Sequence, residues 1–163
     1  MPFEYTGPLI FPITLFRNLL SASPAFQVWT GTATPGEAHN KTWPMLIGPT
    51  EVPNFAGVSL GREWESVSIA GGTEETWRDG GAVDILFVGS ISDRTNVPQL
   101  QQELTAFLES LNGIMLDLRR IAVEGQFGYV MLKRLSLSEE MALAPEETDV
   151  DFVSVVLSVS YGF

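Results

Sequence analysis

Pro98-QLQQELTAFLESLNGIMLDLRRIA-Val123 is the stretch that decides the fold. Its apolar residues recur at three- and four-residue steps, the spacing of one helix face. At about 100° per residue, Leu100, Leu104, Phe107, Leu108, Leu111, Ile114, Met115, Leu118, Ile121 and Ala122 fall within an arc of about 140°, a single wide stripe destined for a core. Gln101, Gln102, Thr105, Glu109, Asn112, Arg119 and Arg120 point the other way. Pro98 suits the first helical position, Asn96 is available as the cap before it, and the two arginines sit where a cation favours the helix dipole. Leu116 and Val123 interrupt the polar face, either as the isolated exposed apolar residues common on monomers or as a contact with another subunit.

Strand patterns flank this helix. Upstream, Val83-Asp-Ile-Leu-Phe-Val-Gly-Ser-Ile91 is nearly continuous in apolar residues, which predicts a central strand covered on both faces, by a helix on one side and by a loop or another subunit on the other. Downstream, Tyr129 to Leu137 is expected to be a strand. An acidic linker follows, and from Val150 the residues Val153, Val155, Leu157, Val159 and Tyr161 alternate with serines as in a half-buried final strand. Near the N-terminus, Leu9, Ile13, Phe16 and Leu20 predict a shorter helix over about 12–22, ending before Pro24. Phe26-Gln-Val-Trp29 alternates as a strand does. Two long loops are predicted at about 30–43 and 71–81, and two short strands between Pro44 and Ala70, one of them in Trp64 to Ala70. The predicted architecture is a single α+β domain over 1–163, a mixed, mainly antiparallel sheet packed against the helix at about 98–123 and the shorter N-terminal helix.

The composition agrees with a packed domain. The chain has 163 residues, of which 45% are hydrophobic and 18% charged, enough apolar surface to build a core without a disulfide or metal staple. Cysteine is absent, which removes thiol nucleophiles, disulfides and cysteine metal sites together. No stretch reaches the length of a membrane span, and Met1 to Gly7 lacks the basic flank of a signal peptide, so the expected place of synthesis and folding is the cytoplasm. A net charge of −11 repels nucleic acid and anionic membranes. The same sign suits a surface past which DNA slides without sticking.

Catalytic chemistry finds little to work with. His39 is the single histidine, lies in a Gly/Pro segment beside Asn40 and Lys41, and reads as a solvated loop residue. Acid pairs such as Glu63 with Glu65 or Glu74 with Glu75 arise in any acidic chain, no acidic spacing matches a metal loop, and the glycine pairs lack the lysine of a phosphate loop. No catalytic residue, metal or cofactor is therefore expected. Two other groups remain as candidates. Trp43, Trp77 and Arg78 in the predicted loops, with Leu116 and Val123, are candidate subunit or partner contacts. Glu139, Glu140, Glu146, Glu147, Asp149 and Asp151 form either a solvated linker or an electronegative edge facing a pore or a basic neighbour.

The order of elements carries a resemblance. A short helix with Phe16-Arg-Asn-Leu-Leu20, then strands and loops, a glycine-rich loop, the strand Val83 to Ile91, the long helix, the strand Tyr129 to Leu137, and Pro145 with acidic residues before the last strand together resemble the tail terminator and neck (tail-completion) proteins of long-tailed bacteriophages. The likeness is one of layout over most of the chain, weakest between Pro44 and Gly81. It implies a small structural subunit, with no catalytic residues to carry over. Copies would close into a ring, usually a hexamer, that ends the tail tube and joins it to the head connector. The implied partners are other copies of the chain, the tail tube protein, the head-tail connector protein and DNA passing through without specific binding, and the implied location is the tail or neck of the virion. A tail tube or head-closure subunit would share these parts. A small-ligand-binding module or hydrolase of the same fold class would instead show a concave pocket with converging carboxylates.

Overall fold

The computed structural model describes residues 11–44, 54–61, 65–68, 77–123, 131–143 and 151–162. Its helices are α1 (Phe11–Ala22), α2 (Pro24–Thr30), α3 (Pro35–His39) and α4 (Val97–Val123). The strands are β1 (Thr42–Trp43), β2 (Phe55–Leu60), β3 (Glu65–Ser68), β4 (Trp77–Ser90), β5 (Met131–Leu143) and β6 (Phe152–Gly162). The main sheet runs β1-β2-β4-β6-β5, and β3 pairs with the first residues of β4. Only the β1–β2 pair is parallel. The fold is thus α+β with a mixed, mostly antiparallel sheet, one long helix and shorter N-terminal helices.

The sheet register explains where the core lies. Val83, Ile85 and Phe87 of β4 stand opposite Val159, Leu157 and Val155 of β6, while Ala56 and Val58 of β2 stand opposite Phe87 and Ile85. These alternate residues share one face. Leu15, Phe16, Leu19 and Leu20 of α1, Phe26 of α2, Ala38 of α3 and Phe107, Leu111, Ile114, Leu118 and Ile121 of α4 pack on it in one buried cluster. Aromatic rings tie the layers: Phe16 lies 5.3 Å from Tyr161, and Trp29 lies 6.0 Å from Phe87 and 6.1 Å from Phe107, between centroids. At Gly89 α4 comes so close to the sheet that a side chain is excluded, since a Cβ there would fall 2.7 Å from the Phe107 ring.

Several elements differ from the sequence expectation. Phe26 to Trp29 belongs to α2, a helix and not a strand. Its signals are local: the Ser23 hydroxyl accepts from Phe26 N–H, Pro24 opens the first turn, and Gly31 closes it at φ 69°. A four-residue alternation is too short to outweigh a cap at each end. The loop expected at 30–43 holds α3, capped by Thr34 with Pro35 behind it, and the edge strand β1. The two short strands expected between Pro44 and Ala70 are present as β2 and β3. The loop expected at 71–81 is already strand β4 from Trp77, and residues 71–76 lie outside the described ones. β5 runs on to Leu143, so Glu139 and Glu140 are in a strand and not in a linker.

α4 matches its predicted span within a residue, and Asn96 caps it, with Oδ1 accepting from Gln99 N–H at 3.3 Å. The buried stripe is narrower than the apolar arc. Leu108, expected in the core, is 48% exposed, whereas Leu111 is 5% exposed. The helix presents Phe107, Ile114, Leu118 and Ile121 squarely to the sheet, which turns the Leu108 flank outward. β4 is central, as expected, but its second face is only partly covered: Val88 is buried, while Asp84 and Leu86 are half-buried.

Candidate functional site

Among the described residues, exposed large apolar side chains stand at several places: Val28 on α2, Trp43 on β1, Val97, Leu108 and Leu116 on α4, and Met141 and Leu143 on β5. Trp43 lies in the two-residue edge strand β1, opposite Gly57, and is 37% exposed. At the other end of the layer α4 packs on α1 and α2 and reaches β5. Its outer surface shows Val97, Leu108 and Leu116, with Leu116 at 58% exposure. Between these ends α1 lies over β1, β2 and β4. Val123 is the last residue of α4, and Trp77 and Arg78 open β4 opposite Ser68 and Val67; the side chains of these three lie outside the description. By backbone position the predicted contact residues fall on three elements, β1, the start of β4 and α4.

The acidic group is also divided. Glu139 stands in β5 opposite Val156 and Glu140 follows it, while Glu146, Glu147 and Asp149 lie outside the described residues. Asp151 is structural: its carboxylate is 3.4 Å from Arg94 Nε and its carbonyl accepts from Ile91 N–H. This joins the end of β4 to the start of β6.

His39 is half-buried at the end of α3 and not a solvated loop residue. Burial pushes its pKa down, and the nearby Arg17 guanidinium adds to the shift. Burial also lowers the pKa of Arg17. Arg17 donates through Nε to Thr42 Oγ1 at 2.9 Å and through Nη2 to Thr42 O at 3.1 Å, and Thr42 Oγ donates to His39 O at 2.7 Å. The histidine belongs to a support that fastens β1 to α1 and α3.

A groove of about 230 Å³ opens between α2, the end of β4 and α4, lined by Trp29, Asn54, Ser90, Ser92, Glu103 and Phe107 among others. Its polar groups largely serve one another. Asn54, held at φ 69°, donates through Nδ2 to Trp29 O and accepts through Oδ1 from Ser90 N–H. Glu103 accepts from the Ser92 hydroxyl and N–H, and these bonds hold its pKa down. Among the described residues Glu103 is the single carboxylate in the lining, and no second described acid converges on it there. Among the described residues no group of three His, Asp or Glu could hold a metal ion, and no described helix is long and apolar enough to cross a membrane.

Two features escape a reading of the sequence. The register aligns Ser59, Asp84, Ser158 and Ser136 in a row across the sheet face away from the helices, all four half-buried. No local spacing reveals such a row, because its members come from four strands. Asp117, on α4, accepts through Oδ2 from Ser23 Oγ at 2.7 Å and from Ala25 N–H at 2.9 Å. It is a second cap for α2 delivered from 92 residues away. No known protein family matches the chain, and no curated protein matches it.

Proposed function

We propose that the protein is a structural subunit of a long-tailed bacteriophage, of the tail terminator or neck type, whose copies close into a ring that ends the tail tube and joins it to the head connector. The observation that carries this reading is that exposed apolar residues stand on unlike parts of the surface, among them Trp43 on the edge strand β1 and Leu108 and Leu116 on the outer side of α4. A closed ring needs a heterologous contact, one patch of each subunit meeting a different patch of the next. A single self-complementary patch would stop at a dimer. The six-fold number comes from the family resemblance alone. The net charge of −11 supports a lumen through which DNA passes without being gripped. Virion partners in this reading are the tail tube and connector proteins, with assembly from subunits made in the host cytoplasm.

Negative-stain electron microscopy and sedimentation of the purified chain, alone and with tail tubes, test the proposal. Rings are expected, or subunits that order on tube ends. Trp43→Glu and Leu116→Glu should each leave the circular dichroism of the subunit unchanged while abolishing rings, because each spoils one half of the contact. A chain that stays monomeric and binds no tube ends refutes the proposal.

A further inference from the structure

β5 is an edge strand of 13 residues that pairs, among the described residues, with β6 alone. A long open edge offers a row of backbone donors and acceptors to another strand, and proteins commonly blunt such an edge with charge. The charges here have a particular order. Lys133 and Arg134 lie in the first part of β5, Glu139 and Glu140 in the last part, and Leu135 to Ser138 between them are uncharged.

The pairing of β5 with β6 skips one residue between Leu132 and Arg134 and one between Leu137 and Glu139, and shifts again between Glu139 and Ala142. Counting paired positions from Arg134, the sequence is 134, 135, 136, 137, 139, with Ser136 in the middle. Positions 134, 136 and 139 stand opposite Ser160, Ser158 and Val156, alternate residues of β6, so they lie on one side of the sheet; 135 and 137, opposite Val159 and Leu157, lie on the other. The bulge before Glu139 is what brings 134 and 139 to the same side. Without it an arginine and a glutamate at these positions would fall on opposite faces.

We propose that β5 pairs antiparallel with β5 of a second copy of this chain about a two-fold axis at Ser136. Position 134 then meets 139 of the second copy, 135 meets 137, and 136 meets 136, with every pair on a matching side. The two-fold axis makes the arginine–glutamate pair occur twice. A parallel arrangement in register would instead set arginine against arginine and glutamate against glutamate, which is unfavourable across strands. Backbone hydrogen bonds supply the attraction, and the charges select orientation and register. This contact does not rest on the ring reading, because it is isologous whereas a ring requires a heterologous contact.

Sedimentation velocity of the full chain over a range of concentrations at low salt reads the dimer directly. Arg134→Glu and Glu139→Arg should each weaken it about tenfold or more, since each puts like charges across both symmetric pairs, and the double substitution should restore it to near the parent value. Arg134 is exposed, so its substitution leaves the core intact, which far-ultraviolet circular dichroism verifies. A second measurement uses the absence of cysteine from the chain. Opposed antiparallel residues have Cα atoms about 4.5–5.5 Å apart, within disulfide reach, so oxidised Ser136→Cys should cross-link into a covalent dimer and exposed Gln102→Cys should not. Equal cross-linking at both positions, a double variant that fails to restore dimers, or a parent chain monomeric at every concentration overturns the pairing. Rings without any swap-sensitive dimer contact would sink this pairing and leave the ring reading standing; a swap-sensitive dimer that never forms rings would do the reverse.

Discussion

Replacing Asp117 by alanine isolates the link between the long helix and the helix before it. The carboxylate takes hydrogen bonds from Ser23 Oγ and Ala25 N–H, and Ser23 is itself fully buried and caps α2 by accepting from Phe26 N–H. Truncation leaves two donors without their acceptor at the closely packed start of α2. A hydrogen bond to a charged group is worth roughly 1.5–3 kcal/mol net, and the two share one carboxylate at a partly buried site, so we expect a loss of about 2–4 kcal/mol and not the full double sum. For a chain of this size that corresponds to a Tm lower by about 5–15 °C. Asp117→Asn keeps the size and one acceptor oxygen, and should cost about half as much. Urea unfolding followed by circular dichroism, below the concentration of any self-association, measures each midpoint. Ser23→Ala completes a double-mutant cycle, in which the pair should couple by about 1 kcal/mol or more because both act on the same cap. An Asp117→Ala protein within about 0.5 kcal/mol of the parent, or a cycle that is additive, refutes the assignment of Asp117 as a cap.

Two further outcomes follow from burial and charge. Leu111→Ala should destabilise the subunit by about 2–5 kcal/mol, whereas Leu108→Ala, at a half-exposed position, should cost under about 1 kcal/mol; equal losses by the same unfolding assay would contradict the observed rotation of α4. The pKa of His39 is lowered in the folded state, so the unfolded chain binds its proton first. Stability is then fully present above the unfolded value of about 6.5 and declines as the pH falls through the depressed folded value. His39→Asn should flatten that part of the stability profile, and an unchanged slope would show that the histidine is not the group responsible.

The elements legible in the sequence are those in which a single periodicity runs long enough to dominate. α4 carries its apolar spacing over 27 residues, and β6 alternates over 11, so both were identified within a residue or two. Phe26 to Trp29 offered only four alternating residues, and there Ser23, Pro24 and Gly31 governed the outcome. β5 is broken by bulges that shift the phase of alternation, which hid its continuation through Glu139 and Glu140 into what resembled a linker. Leu116 lies exposed on the polar side of a regular helix, as its position predicted. The acidic group is a reading of one-dimensional clustering, and of its members Glu139 and Glu140 stand in β5 and Asp151 just before β6, while Glu146, Glu147 and Asp149 lie outside the described residues. Asp117 and the Ser59–Asp84–Ser158–Ser136 row depend on tertiary register, for which the sequence holds no local signal.

The misplacement of Leu108 bears on function. An apolar arc of about 140° on α4 is wider than a single supporting layer covers, so some of its residues stay in water unless a second surface closes over them. The sheet and α1 and α2 take Phe107, Leu111, Ile114, Leu118 and Ile121, and Leu108 is left half-exposed beside the polar face that carries Leu116. Such a flank is harmless on a monomer if isolated, but α4 reaches β5 at one end of the sheet, away from the edge strand β1 that carries exposed Trp43. Leu108 therefore separates stability from assembly more sharply than the deeply buried positions do. A substitution there that leaves the urea midpoint nearly unchanged yet removes rings would attribute the surplus apolar width of α4 to a neighbouring subunit. Intact rings would return it to the ordinary background of exposed leucines.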